Sequence, residues 1–242
     1  MGMWVGRGRK ARRCYGFDEI ALVPGDVSIN PNEVDTSWEI CGKKYKVPIL
    51  AASMDGVVNV DFAIKMGKLG GIAVLNIDGV QTRYEDPSEI LQEIGNATPE
   101  KATELLQKLY LPPVKPKLIE KRITEITAAK VDAYVGTTPA NAEQYGKIAQ
   151  AAGATGFVVQ SQVSTVHHIA KDYKVCDFAK LCKNLKIPVL MGNAVTYKVT
   201  LQLMEIGVGG VFIGVGPGAA CTTRGVLGIG VPPPRSPVPT GR

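Results

Sequence analysis

Apolar residues along the chain fall into two alternating kinds of run. Short, nearly continuous apolar stretches predict buried parallel strands: "VPILAAS" (Val47–Ser53), "GIAVLN" (Gly71–Asn76), "VDAYVGT" (Val131–Thr137), "GFVVQS" (Gly156–Ser161), "IPVLMGN" (Ile187–Asn193) and "GGVFIGV" (Gly209–Val215). Between them, apolar positions recur at helical spacing over Asp61–Lys68, Ser88–Ile94, Pro99–Lys108, Leu118–Ala128, Asn141–Ala152, Cys176–Asn184 and Tyr197–Ile206. Six such βα units predict a parallel sheet covered by helices, either doubly wound or a (β/α)8 barrel. Polar or glycine residues gather where the strands end: Ser53-Met54-Asp55, Asn76, Thr137-Thr138, Gln160-Ser161, Gly192-Asn193 and Gly214-Val215-Gly216. In a barrel these ends converge on one face, and that face carries the chemistry.

An eight-fold barrel needs two further strands. After Gly230 the chain instead reads "VPPPRSPVPTGR", with five prolines in twelve residues, no period and no strand pattern. Proline lacks the amide a sheet ladder requires. The expected organisation is an incomplete barrel over residues 1–231 and a proline-rich tail over 232–242. Strands one and six would then be open edges, and the isolated chain would be poorly soluble or depend on partners.

Composition changes this picture little. With 242 residues, 45% of them hydrophobic, the chain can bury a substantial core. No apolar run reaches the roughly 18 residues of a membrane span, and no secretory segment opens the chain. Cys14, Cys41, Cys176, Cys182 and Cys221 are odd in number and form no CxxC pair, which favours reduced thiols in the cytoplasm over zinc or disulfides. His167 and His168 are adjacent, so they cannot form a helical i,i+4 ligand pair. The net charge of +6 is misleading. Arg7, Arg9, Lys10, Arg12 and Arg13 crowd the start and Arg235 and Arg242 the end; without them the body carries about −1. No basic face suited to nucleic acid covers the globule.

The stretch "GVGPGAACTTRGVLGIG" (Gly214–Gly230) is too flexible to be a core strand. Cys221 follows a glycine-rich turn, where amides and a helix start can lower a thiol pKa and make it a nucleophile. The GxGxxG-like spacing of Gly214, Gly216 and Ala219 is weak, because a dinucleotide fingerprint belongs after the first strand and leads to an acid. Asp55 and Asn193 stand at strand ends, where turn capping is the ordinary role.

"GPGAACTTRGVLGIGVP" resembles the catalytic loop of the IMP dehydrogenase/GMP reductase family. "GFDEIALVPGDVSINPNEVDTSW", the Met-Asp turn of "VPILAASMDGVVNVDFAIKMGKLGGIAVLN" and the Gly-Asn strand "IPVLMGNAVT" resemble its other landmarks, over about residues 5–231. "GRGRKARRCYGFDEIALVPG" and "QTRYEDP" are most similar to the IMP dehydrogenase-related branch, which lacks the CBS insert; none is visible between Leu75 and Ala133. The resemblance implies a (β/α)8 TIM barrel, here truncated after about six βα units, that works as a homotetramer on a purine nucleotide. Cys221 would attack C2 of the purine, with Thr223 hydrogen-bonding the base or leaving group. Ser53, Met54, Asn193, Gly216 and Gly218 would meet the nucleotide, and Met54 would pack on the base. Gln160, Ser161, Asn193 and Gly214 would face the cofactor, NAD or NADP. The carbonyls of Gly216, Gly218 and Cys221 would hold potassium. The implied reaction is oxidation of IMP to XMP; the alternatives are reduction of GMP to IMP and a catalytically inactive fragment. Gln160 replaces the family's ribose-binding aspartate, Ala219 a phosphate-contacting serine, and Ala52-Ser53 precedes the Met-Asp turn. The ribose aspartate, phosphate loops and catalytic flap of strands seven and eight have no counterpart in the tail.

Overall fold

The computed structural model describes residues 3–5, 7–11, 15–172, 174–218 and 221–231. Cys14, Ala219 and the tail 232–242 lie outside the described residues. Two short antiparallel hairpins come first, β1 (Met3–Val5) with β2 (Arg9–Ala11) and β3 (Trp38–Ile40) with β4 (Lys43–Tyr45). The second turns on Cys41 and Gly42, both at positive φ, 53° and 74°. That pair of left-handed residues matches the twist of a two-residue hairpin. Next come β5 (Leu50–Ala51), α1 (Val60–Leu69), β6 (Ile72–Asn76), the short α2 (Val80–Arg83), α3 (Pro87–Gly95), α4 (Pro99–Leu109) and α5 (Pro116–Ala128). The later units are β7 (Tyr134–Thr137) with α6 (Ala142–Ala151) and β8 (Gly156–Gln160) with α7 (Phe178–Asn184). Then follow β9 (Val189–Ala194) with α8 (Tyr197–Glu205) and β10 (Gly210–Ile213) with α9 (Thr223–Leu227).

Strands β5 to β10 pair in parallel and in chain order, with β5 and β10 at the edges of the described sheet. Each unit adds its strand beside the last, which is barrel winding; a doubly wound sheet would reverse direction at a switch point. The fold is therefore a (β/α)8-type barrel carried through six strands. Helix starts follow local chemistry. Asn59, Asp86, Asp177 and Thr196 cap α1, α3, α7 and α8 with side-chain oxygens. Pro87, Pro99 and Pro116 occupy first helical positions, where no amide bond is lost. The strand expected from Val47 shortens to Leu50–Ala51, since Pro48 offers no amide and the strand has one neighbour.

Side-chain alternation divides the core in two. Ala73, Leu75, Val135, Phe157, Val159, Val189 and Met191 face outward and pack on the helices, among them Ile119, Ile123 and Ile126 of α5. Ile72, Val74, Tyr134, Val158 and Leu190 face the concave side, where Tyr45 of the β3–β4 hairpin packs on them. The same inward rows continue to Asn76, Gly136, Gln160 and Gly192 at the carboxyl ends. The barrel interior is thus apolar below and polar above. Among the described residues, no helix is long and apolar enough to cross a membrane.

Candidate active site

On the β5–β7 side of the upper face, acidic groups are locked in place. The Asp78 carboxylate accepts from Asn141 Nδ2 (2.8 Å), Thr137 Oγ1 (2.8 Å) and the Thr138 amide (2.6 Å), joining the end of β6 to the end of β7. Asp55, in the turn after β5, accepts from the Val80 amide (2.9 Å), Asn76 Nδ2 (3.3 Å) and the Tyr110 hydroxyl. Burial, and then the Asp55 carboxylate, raise the pKa of that phenol and keep it a donor. Arg83 donates to the Asp78 carbonyl (3.0 Å) and to the Pro112 carbonyl, with its guanidinium 5.5 Å from the Tyr110 ring centroid. Asn76, Asp78, Arg83, Tyr110 and Asn141 line an open cleft of about 450 Å³ with Ser53 and Gln160.

The β8–β10 side is looser and carries the thiol. Backbone bonds lace the β8 exit to β9: the Ser161 amide donates to the Gly192 carbonyl (2.9 Å) and the Asn193 amide to the Ser161 carbonyl (3.1 Å). Asn193 follows a cis peptide, and its Oδ1 is buried without a hydrogen-bond partner among the described residues. Gly214 donates its amide to the Ala194 carbonyl (2.9 Å), and an antiparallel bridge between Val215 and Val231 closes the loop between them. Gly216 sits at φ +57°, with the Arg224 stem over it and over Gly230; a β-carbon on Gly230 would collide with that stem.

Cys221 stands exposed on this loop. Its amide donates to the Gly218 carbonyl (3.2 Å), and its Sγ lies 3.3 Å from Thr223 Oγ1. Hydrogen bonds from the Thr223 hydroxyl and amide, with a smaller pull from Arg224, hold the thiol below the ordinary cysteine range. Burial moves the others the opposite way: Cys176 is pushed up to about 11, and Cys41 and Cys182 also rise. Cys221 alone among the described cysteines is biased toward the nucleophilic thiolate.

The residues expected at the site do not form one cluster. Ser53 and Gln160 share the cleft above, while Ser161 and Thr223 line a neighbouring one of about 340 Å³ with Val215 and Ile229. Met54, 56% exposed, lines a third groove with Asp55, Phe62 and Tyr110. The Cys221 hydrogen bonds, to Gly218 and Thr223, lie within its own loop. His167 and His168 are exposed in the loop after β8. Asp78, Arg83, Tyr110 and Asn141 were not singled out from sequence. An acid two positions past an apolar strand marks Asp78; no local pattern marks Tyr110.

A parallel barrel with a glycine-rich loop and an activated thiol at its carboxyl face defines the broad class. A family model described as the IMP dehydrogenase / GMP reductase domain matches residues 14–236, and the chain belongs to that family. It is 34% identical to an uncharacterized oxidoreductase of Mycobacterium tuberculosis, across 94% of this chain and 62% of the relative. It is 27% identical to the inosine-5'-monophosphate dehydrogenase of Cryptosporidium parvum, across 89% of this chain and 55% of the relative. The crystal structure of an IMP dehydrogenase/GMP reductase-like protein from Corynebacterium glutamicum superposes with a TM-score of 0.86 at 29% identity, across 95% of this chain and 61% of that one. The chain thus spans about 62% of the length of its mycobacterial relatives.

Proposed function

We propose that the chain carries the nucleophilic half of a purine-nucleotide oxidoreductase of the IMP dehydrogenase type. The observation that supports this most is the exposed Cys221 with its depressed pKa, set against three described cysteines whose pKa values are raised. The Cys221 thiolate adds to C2 of the IMP purine, forming a C–S bond. NAD+, when bound, would supply the acceptor for the hydride that leaves C2, and Gln160, Ser161, Asn193 and Gly214 are the residues that would hold it. Water then adds at C2 and the C–S bond breaks, returning the thiolate. The balance is IMP, NAD+ and water to XMP, NADH and a proton. Thr223, beside Sγ, holds the thiolate form before attack and after release.

The donor set fits these groups. The buried, unpartnered Asn193 Oδ1 calls for an N–H or O–H donor, which a nicotinamide amide or a ribose hydroxyl supplies. Gln160, opposite Gly192 in the β8–β9 register, lines the 450 Å³ cleft. The carbonyls of Gly216, Gly218 and Cys221 are neutral oxygen donors of the kind that replace the hydration shell of potassium. The Gly218 oxygen accepts one amide and keeps its second lone pair.

The neutral Gln160, where the dehydrogenases carry a carboxylate, favours a second reading, a GMP reductase that takes GMP and NADPH to IMP and ammonia. Both directions share the Cys221 adduct and a cytoplasmic homotetramer. Incubation with 6-chloropurine ribotide followed by peptide mapping tests that adduct. The expected result is a single modification on Cys221, suppressed by IMP; labelling spread over the cysteines refutes the role. Absorbance at 340 nm then separates the directions: a rise with IMP and NAD+ supports the dehydrogenase, and a fall with GMP and NADPH supports the reductase. Cys221 modification without turnover in either direction supports the third reading, a catalytically inactive fragment of such an enzyme.

A further inference from the structure

The segment between β6 and α5 lines the active face at several points, and one residue of it reaches two clefts. Helix α4 ends at Leu109, and Tyr110 just beyond it lines both the 450 Å³ cleft holding Ser53 and Gln160 and the groove holding Met54. Its hydroxyl donates to Asp55, the residue after Met54. The other two donors to that carboxylate, Asn76 and Val80, belong to β6 and the turn beyond it. Gly79 is required there, because a β-carbon would collide with the carboxylate. The carbonyl of Met54 accepts from the Val57 and Val58 amides (2.9 Å each), while its side chain stays half exposed. Asp55 therefore ties the Met54 turn to the rest of the face, and Tyr110 is the tie from the helical segment. Arg83 holds Tyr110 in turn, lying against its ring and bonding the Asp78 and Pro112 carbonyls.

We propose that Tyr110 is a positioning residue for the purine base: through Asp55 it sets the Met54 turn, linking the α3–α4 segment to the cleft. This rests on the reading that Met54 packs on the base of a nucleotide captured by Cys221. Loss of the hydroxyl leaves the thiol chemistry intact and loosens the surface on which the base rests. The effect belongs in ligand affinity, not in the limiting rate of C–S bond formation.

Two variants test this, Tyr110→Phe and Tyr84→Phe. Tyr84 donates to the Leu109 carbonyl (2.9 Å), so its variant loses a hydrogen bond of the same segment without touching Asp55. With methyl-labelled methionine, the Met54 resonance should shift in Tyr110→Phe and stay in place in Tyr84→Phe. The half-saturating concentration of 6-chloropurine ribotide at Cys221 should rise roughly tenfold in Tyr110→Phe only, the order expected for a lost hydrogen bond to a carboxylate. The limiting labelling rate and the iodoacetamide rate at Cys221 should not change; each variant loses one hydrogen bond of the fold, so the melting temperature serves only to show that both are folded. A static Met54 resonance in Tyr110→Phe, or equal effects in both variants, overturns the proposal. A shifted resonance with unchanged half-saturation overturns the role in base positioning. A wild-type chain that the ribotide never labels overturns the purine reading itself, a result separate from the Met54 shift.

Discussion

The two ends of the sheet are built on opposite terms. At the lower end, Tyr45 donates to Asp132 Oδ2 (2.7 Å) and lies 3.0 Å from the Tyr134 hydroxyl. Asp132 also pairs with Lys43 and accepts from Thr155 Oγ1 (3.1 Å). The rings of Tyr45 and Tyr134 meet edge to face, with centroids 6.4 Å apart, over Ile72, Val158 and Leu190. At the upper end an acceptor on Asn193 goes unpaired, a thiol stands exposed and three open clefts meet the solvent. A closed network is finished with its hydrogen bonds and contributes stability. An unfinished one keeps capacity for a ligand, at some cost to the fold.

The contrast predicts where substitutions act. The largest effect should come from Tyr134→Ala, which empties a fully buried site and removes one of the two partners of the Tyr45 hydroxyl; about 3–5 kcal/mol of stability should go. Urea denaturation measures the loss, and the iodoacetamide rate at Cys221 below the transition should not move. A loss below about 1 kcal/mol would mean that the lower network is not structural.

Asp132→Asn should be milder, about 1–3 kcal/mol at neutral pH. Burial pushes the Asp132 carboxyl up, but the bonds from Lys43, Tyr45 and Thr155 outweigh it and hold it below the usual range. Folding therefore favours the ionised form. That stabilisation is complete above the unfolded carboxyl pKa near ~4 and fades as pH falls through the lower folded value. The stability gap between wild type and Asp132→Asn should hold steady near pH 7 and narrow below about pH 4. Widening on acidification would contradict the assignment.

The smallest effect on stability, and the sharpest on reactivity, belongs to the upper loop. At pH 7.5 or so, iodoacetamide should modify Cys221 roughly tenfold or more faster than Cys176, following their thiolate fractions. The Cys176 rate should keep climbing toward its pKa of about 11. Thr223→Val removes the hydroxyl beside Sγ, so the Cys221 profile should move to higher pH with the melting temperature unchanged. Mass-spectrometric rates across pH check both; Cys176 reacting first would reverse the comparison.

Much of the architecture was legible in local pattern. The six apolar runs are the six parallel strands, and seven helical periods are helices within a few residues. The β3–β4 hairpin carries no such mark: of its turn residues Cys41 and Gly42, both left-handed, only the glycine favours that conformation. The loop at Cys221 announced itself by glycines no strand would use, and its depressed pKa needed only Thr223, two residues away.

Chain neighbours thus determined element type and strand-end polarity, because periods of 2 and 3.6 residues and a cap or turn are set within a few residues. Tertiary structure alone decided which strand ends share a cleft, that Tyr45 plugs the lower barrel, and that Tyr110 reaches Asp55 across 55 residues. Such pairings carry no periodic mark. They arise when winding brings distant segments together, and packing and hydrogen bonds must repay the entropy of closing the intervening chain.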